Sequence, residues 1–326
     1  MRVTLYIPGL LERTDQLSPR ASSLQALLAR TSDVRSERDG AIALLAPVFG
    51  VARQQDWPLA PLRARALGLD AAKGYWLRVW PVHLEAGLDD VRVQSAVGDV
   101  DNVEAEALLA DLSKHFRDDG LAFVRGTRSE WFLAVQAPPQ LMTRPLRTAL
   151  GQRLRPYLPT GDDAPQWRRW SQEVEMMLHT HPVNETRERD GRTTVNALWY
   201  EYGGVLPAGV QHDVTALTDI PDAQALAGTD AATASADGDS ALRDGNANDV
   251  VITTPLSATM EDIDARYAAG VLRALNSGRA ERALVIVDGQ GMPALAWEPR
   301  RTSWIQRLRT SRISLADAFA SALEQA

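Results

Sequence analysis

The chain contains no cysteine. That excludes disulfides, thiolate nucleophiles and cysteine-ligated zinc. Lysine is almost missing as well, occurring only at Lys73 and Lys114 among 35 basic residues. Arginine takes its place in an alanine-rich chain, a pattern that fits high-GC codon bias, so arginine density by itself says little about function. A basic excess is also lacking: the net charge is -7 and the pI about 5.4. Nucleic-acid binding needs a basic footprint, so no nucleic-acid partner is expected. No apolar run approaches the ~20 residues of a membrane span. The stretch from Met1 to Gly9 is too short an apolar run for a signal peptide. No membrane association and a cytoplasmic location are the expectations.

What is present is an ordinary globular composition, 45% hydrophobic and 24% charged over 326 residues, enough for one large α/β domain or two smaller ones. Val3 to Ile7 reads as a buried strand closed by Pro8-Gly9. Helices are expected over 22–30, 42–51 and 61–69. Tyr75 to Trp80 and Val91 to Val93 read as strands, and Val103 to Phe116 as a helix with Val103, Ala107, Leu108 and Leu112 on its buried face. Leu121 to Val124 and Trp131 to Gln136 read as a hairpin. This block predicts an inserted α+β subdomain over 73–137, with 1–72 and 138–326 forming an α/β core around a mostly parallel central sheet with flanking helices.

Pro165 to His181 carries the strongest helical stripe, through Trp167, Trp170, Val174, Met177, Leu178 and His181. A short helix from Pro182 to Arg189 and a strand from Ala197 to Tyr202 follow. Residues 228–248 are almost devoid of large apolar side chains and read as a disordered loop. Strands at 250–253 and 283–287 around a helix at 260–275 give a βαβ signature and imply a parallel pair. Ala294 to Trp297 reads as an edge strand and Ser314 to Leu323 as a closing amphipathic helix.

Polar recognition chemistry is densest from His179 to Trp199, which holds two of the five histidines with Asn184, Arg187, Asn196 and Trp199. Histidines at i and i+2 point to opposite sides of a helix, so His179 and His181 chelate one metal easily only in an extended segment. The alternative is that they satisfy a helix terminus, His179 lying one turn after Glu175. Asn184 and Arg187 share a helix face if Pro182 starts a new helix, and Arg187 offers a planar fork suited to phosphate or carboxylate. A capping and loop-closing network is the competing reading. Elsewhere, Asp288 follows an apolar strand, where functional acids gather in α/β sheets but where Asp-Gly is also simply a turn. His212-Asp213 lacks a third partner for a triad. Arg300, Arg301, Arg307, Arg309 and Arg312 surround Trp304 and read as a solvated basic face, with an acidic partner as the alternative.

The pattern His181-Pro182-Val183-Asn184-x-x-Arg187-x-x-x-Gly191, then Asn196-x-x-Trp199, resembles the proteobacterial RpfE-type regulatory proteins, also labelled cofactor-independent phosphoglycerate mutase-like. Ile7-Pro8-Gly9-Leu10-Leu11, Val82-His83-Leu84, His115-Phe116 and Asp119-Gly120-Leu121 fit the same resemblance, which runs to about Gly204. More remotely, the Asn184, Arg187 and Asn196 pattern is similar to archaeal-type phosphoglycerate mutases of the alkaline phosphatase superfamily. That superfamily implies two divalent metals held by Asp and His, with a Ser or Thr nucleophile. This chain departs from it. Pro8 and Gly9 follow the first strand where a metal-binding Asp is implied, no Asp directly precedes a His, and Glu201-Tyr202 stands where an Arg-Gly is implied.

The resulting expectation is a catalytically degenerate, phosphoglycerate-mutase-like scaffold with a regulatory or ligand-binding role and no metal or other cofactor. The expected ligand is an anionic small molecule held by His179, His181, Asn184, Arg187, Asn196 and Trp199. The alternatives are an active metal-dependent phosphotransferase and a scaffold for a protein partner.

Overall fold

The computed structural model describes all residues except 17–21, 32, 88–89, 209–213, 229–241, 243–248, 303–313 and 325–326. The chain divides into two units, Met1–Val51 with Gly209–Ala326, and Ala52–Ala208.

The first unit is built on a six-stranded sheet in the order β2-β11-β10-β1-β9-β8. Its strands are β1 (Arg2–Ile7), β2 (Val34–Glu37), β8 (Val214–Leu217), β9 (Asp249–Thr253), β10 (Arg282–Val287) and β11 (Ala294–Trp297). β10, β1, β9 and β8 run parallel, and β11 and β2 are added antiparallel. Both faces of the central strands are covered, which is why every residue from Val3 to Ile7 is buried and the strand reads as continuously apolar. On one face, α1 (Ser22–Leu28) and the helical run Met260–Ser277 pack Leu24, Leu27, Ile263, Val271 and Leu275 against Val3, Leu5 and Ile7. That run contains a π segment, Ile263–Ala268, and ends at Gly278 in the left-handed region, which suits glycine. Asp264 on the π segment accepts from Ser23 N at 2.9 Å and Leu24 N at 2.8 Å, satisfying amides that the first turn of α1 leaves open. α2 (Gly40–Leu45) is packed near β10 and β11.

The mostly parallel central sheet stands, with two corrections of detail. β9 and β10 are parallel but not adjacent, because β1 lies between them. β11 is not the edge, because β2 pairs outside it. Val34-Arg-Ser-Glu37 has only one bulky apolar residue, too weak a pattern to mark an edge strand. Most of 228–248, read as a disordered loop, lies outside the described residues. Leu242, the one large apolar residue within it, is buried in the first unit's core.

The second unit holds a five-stranded antiparallel sheet, with the helices α3 (Leu59–Ala66) and α5 (Leu146–Ala149) packed on it. β3 (Tyr75–Ala86) pairs on one side with β6 (Trp131–Val135) and then β4 (Val91–Ala96), and on the other with β7 (Ala197–Gly204); β5 (Leu121–Arg125) pairs with β6. Pro81, lacking an N–H, falls where β3 changes partner, after Val79 pairs Trp131 and before Val82 pairs Ala96. α4 (Asn102–His115) begins with a reciprocal capping box between Asp101 and Glu104. Its buried face is Ala105, Leu108, Leu109 and Leu112, while Val103 is 75% exposed, so the expected stripe was rotated. α6 (Ala164–His179) lays Trp167, Val174 and Leu178 in the same core as Leu77, Leu133 and Tyr200, with Trp167 and Tyr200 edge to face at 5.5 Å.

The expected insert, 73–137, therefore lies wholly inside the second unit. β7 returns sixty residues after β6 to complete the same sheet, so α6, α7 (Pro182–Arg189) and β7 belong with the strands before them. No helix among the described residues is long and apolar enough to cross a membrane.

Candidate functional site

His181 is not the end of the α6 stripe. Its backbone is extended and its Nδ1 accepts from Val183 N at 3.2 Å, capping α7, whose first turn holds Pro182. Nδ1 as acceptor places the ring proton on Nε2, 3.2 Å from Asp111 Oδ2 but without hydrogen-bond alignment. His179 is the exposed last residue of α6, so the two histidines do not converge.

Asn184 faces inward. Its amide donates to Leu178 O at 2.7 Å and Val195 O at 2.6 Å, and its carbonyl accepts from Val195 N at 2.9 Å. One side chain thus ties the last turn of α6 to the segment entering β7. Arg187, one turn on, has no exposed surface at all. Its guanidinium donates to Thr193 O at 2.7 Å, Glu104 Oε2 at 2.7 Å and Asp99 Oδ1 at 2.5 Å. Arg192 reaches the same two carboxylates, so two arginines and two acids neutralise one another. Burial raises the Asp99 carboxyl, but the hydrogen bond and charge of Arg187, then those of Arg192, outweigh this and hold it below the ordinary aspartate value.

Asn196 spans the backbone of Leu84, accepting from its N–H at 2.7 Å and donating to its carbonyl at 2.8 Å. It continues the β3–β7 ladder just beyond the Val82–Ala197 pair, where the β3–β4 register shifts between His83 and Leu84. Trp199 packs with Val82, Leu146 and Ala197, its indole N–H donating to Arg144 O at 2.8 Å. The six expected ligand-binding residues are thus neighbours in sequence but do not surround one space. Asn184, Arg187 and Asn196 spend their polar groups on backbone and internal carboxylates, and an outside anion at Arg187 would meet Asp99 and Glu104 first. These partners favour the competing reading, a capping and loop-closing network that ties together α4, α6, α7, β3 and β7.

A second buried polar cluster lies under β7. Glu201 accepts from Arg78 Nε at 2.8 Å, Trp80 Nε1 at 2.7 Å and Leu146 N at 2.5 Å, so its charge is neutralised internally. Arg78 also reaches Glu130, which pairs with Arg63. Tyr202 has φ 57, the only non-glycine positive φ among the described residues, at a bulge opposite Leu77. Thr143 binds both Tyr202 N and the buried Asp56. Burial raises the Asp56 carboxyl, with hydrogen bonds from Thr143, Trp57 and Gly203 opposing. The Tyr75 hydroxyl is buried without a partner among the described residues, its pKa pushed up by burial and then by Asp56.

In the first unit, the carboxyl edge of the parallel sheet is where an α/β fold places chemistry. Asp288, at the end of β10, accepts from Gly9 N and from the Tyr6 hydroxyl, both at 2.8 Å. It staples the turn after β1, where Gly9 has φ 69. Thr253 donates to Thr218 at 2.7 Å, and Arg13 binds the carbonyls of Pro8 and Ala258. No three Asp, Glu or His side chains that could hold a metal ion gather among the described residues. His212-Asp213 and Trp304 with Arg307, Arg309 and Arg312 lie outside the described residues. Local sequence carries no mark that Asp99, Glu104 and Arg192 gather around Arg187. Only the Asp101-x-x-Glu104 spacing was a visible sign that Glu104 would be held in place.

Residues 48–184 match the 2,3-bisphosphoglycerate-independent phosphoglycerate mutase family. No curated protein matches the chain. Among solved structures, the PH0037 protein from Pyrococcus horikoshii is similar at 14% identity and TM-score 0.45, over 99% of this chain and 96% of that one. The cofactor-independent phosphoglycerate mutase from Thermoplasma acidophilum is similar at 16% identity and TM-score 0.39, over 99% and 98%. The stretch from 48 to 184 is therefore phosphoglycerate-mutase-like in sequence, and it covers most of the second unit.

Proposed function

We propose that the chain is a regulatory or small-ligand-binding protein on a phosphoglycerate-mutase-like scaffold, without phosphoryl-transfer chemistry of its own. The observation that carries this reading is the carboxyl edge of the first unit's sheet. Pro8-Gly9 ends the first strand where the resemblance implies a metal-binding aspartate. Asp288, the acid on the neighbouring strand, has one oxygen on Gly9 N and the other on the Tyr6 hydroxyl. Two-metal catalysis needs several carboxylates and histidines aimed into one open space. The family match supports the scaffold and begins at residue 48, beyond this first strand. The regulatory part of the reading rests on the resemblance carried by His181 to Arg187 and Asn196 to Trp199.

Titration of the metal-stripped protein with Mn2+ or Zn2+ by calorimetry tests the reading. Weak, sub-stoichiometric binding is expected. Saturable binding near one or two ions per chain would contradict it and favour the metal-dependent phosphotransferase.

A further inference from the structure

Tyr75 at the start of β3 and Leu121 at the start of β5 both pair with Val135 at the end of β6. Just outside these strand ends, Gly74, Gly120 and Gln136 meet the last turn of α4 around a cavity of about 610 Å³. That is the size of a small-molecule site. One part of its wall is apolar, made by Leu121, Ala122, Ala134 and Val135. The other part is polar, made by Lys73, Arg117 and Gln136. Among the described residues these three side chains have no hydrogen-bond or ion-pair partner.

Free cations set this wall apart from the arginines of the scaffold. Arg187 and Arg78 face carboxylates inside the fold, whereas no carboxylate among the described residues lines this cavity, although Asp118 and Asp119 follow Arg117 in sequence. The frame is fixed. Ser113 Oγ binds both the N–H and the carbonyl of Phe123 at 3.3 Å, pinning the end of α4 to β5. Trp76 Nε1 donates to Lys73 O at 2.9 Å. Gly74 has φ 76, and a Cβ there would stand 3.0 Å from Val135 O, so backbone forms that rim closely. The carbonyl end of α4 disfavours an anion with about half a charge, which two whole cations outweigh.

We infer that this cavity binds a small oxyanion, a phosphate monoester or a carboxylate, that also carries an apolar group. Lys73 and Arg117 hold the oxyanion, Gln136 orients it, and Leu121 and Val135 receive the apolar part. The inference deepens the proposed binding function and rests on it.

Calorimetry on the full chain with inorganic phosphate, phenyl phosphate and phenylacetate is the test. One saturable site is expected, tighter for a phenyl-bearing anion than for inorganic phosphate. The preference between phenyl phosphate and phenylacetate identifies the oxyanion class. Lys73→Ala and Arg117→Ala should each weaken binding about tenfold or more, the scale of a lost charge-assisted hydrogen bond. Both side chains are exposed, so circular dichroism should show both variants folded. Absence of saturable binding by all three probes, or unchanged affinity in the double variant, would overturn the inference. Metal-dependent hydrolysis of phenyl phosphate, with binding still lost in the variants, would contradict the non-catalytic reading while leaving this site intact.

Discussion

Arg187 is the residue on which scaffold and site readings separate. An exposed arginine costs little to remove. A fully buried one facing Glu104 and Asp99 leaves both acids short of a partner. Arg187→Ala should therefore cost about 3 kcal/mol or more, measured by urea denaturation. A loss under about 1 kcal/mol would return the residue to the surface and to ligand binding. Asp99 gives a pH test of the same cluster. Its pKa is lowered in the folded state, so its contribution is present above the unfolded value, near pH 4, and is lost as pH falls through the lowered folded value. Asp99→Asn should flatten that part of the acid limb of a stability-pH curve. At neutral pH it should cost only about 1 kcal/mol, because the Asp99 side chain is 59% exposed. An unchanged acid limb would show that Asp99 does not take part. The sequence showed that Asn184 and Arg187 share a helix face. It did not show what that face meets, because Glu104 lies 83 residues and Asp99 88 residues away.

At the scale of elements, β7 is the strand that organises the second unit. Its bulge places Tyr202 at a positive φ and brings Gly203 against Tyr75. A Cβ on Gly203 would stand 2.2 Å from the Tyr75 hydroxyl, 2.7 Å from its ring carbon and 2.8 Å from a Leu77 methyl. Gly203→Ala should destabilise by about 1–3 kcal/mol, the usual cost of overpacking. Tyr75→Phe alone should be near neutral, because the hydroxyl it removes is buried without a partner among the described residues. The double variant should recover part of the loss, since the ring and Leu77 contacts remain. Strictly additive effects in that cycle would remove the contact from the account. Elements with strong periodicity were legible: α7 over Pro182–Arg189, the β5–β6 hairpin and the apolar β1. The misreadings have physical causes. The polar edge strand β2 has no alternating pattern to see. His181 fits the α6 stripe by spacing, yet Pro182 disfavours helical backbone at the residue before it and makes it the cap of the next helix. Val103 fits a helical spacing, yet the capping box fixes the start of α4 with Ala105 facing the core.

At the scale of the molecule, the chain joins an α/β unit to an antiparallel α+β unit, and residues 48–184, which cover most of the latter, are phosphoglycerate-mutase-like in sequence. The parallel sheet was legible because its central strands are continuous apolar runs. The unit boundaries were not, because β7 pairs with β3 across more than a hundred residues and pairing partners leave no mark in local composition. The central claim is that this scaffold carries no phosphoryl-transfer chemistry. Its most direct test is turnover: interconversion of 3-phosphoglycerate and 2-phosphoglycerate by the purified full chain with Mn2+ present, with and without a chelator. The account predicts a rate indistinguishable from the protein-free blank in both arms. A turnover above the blank that the chelator abolishes would contradict it.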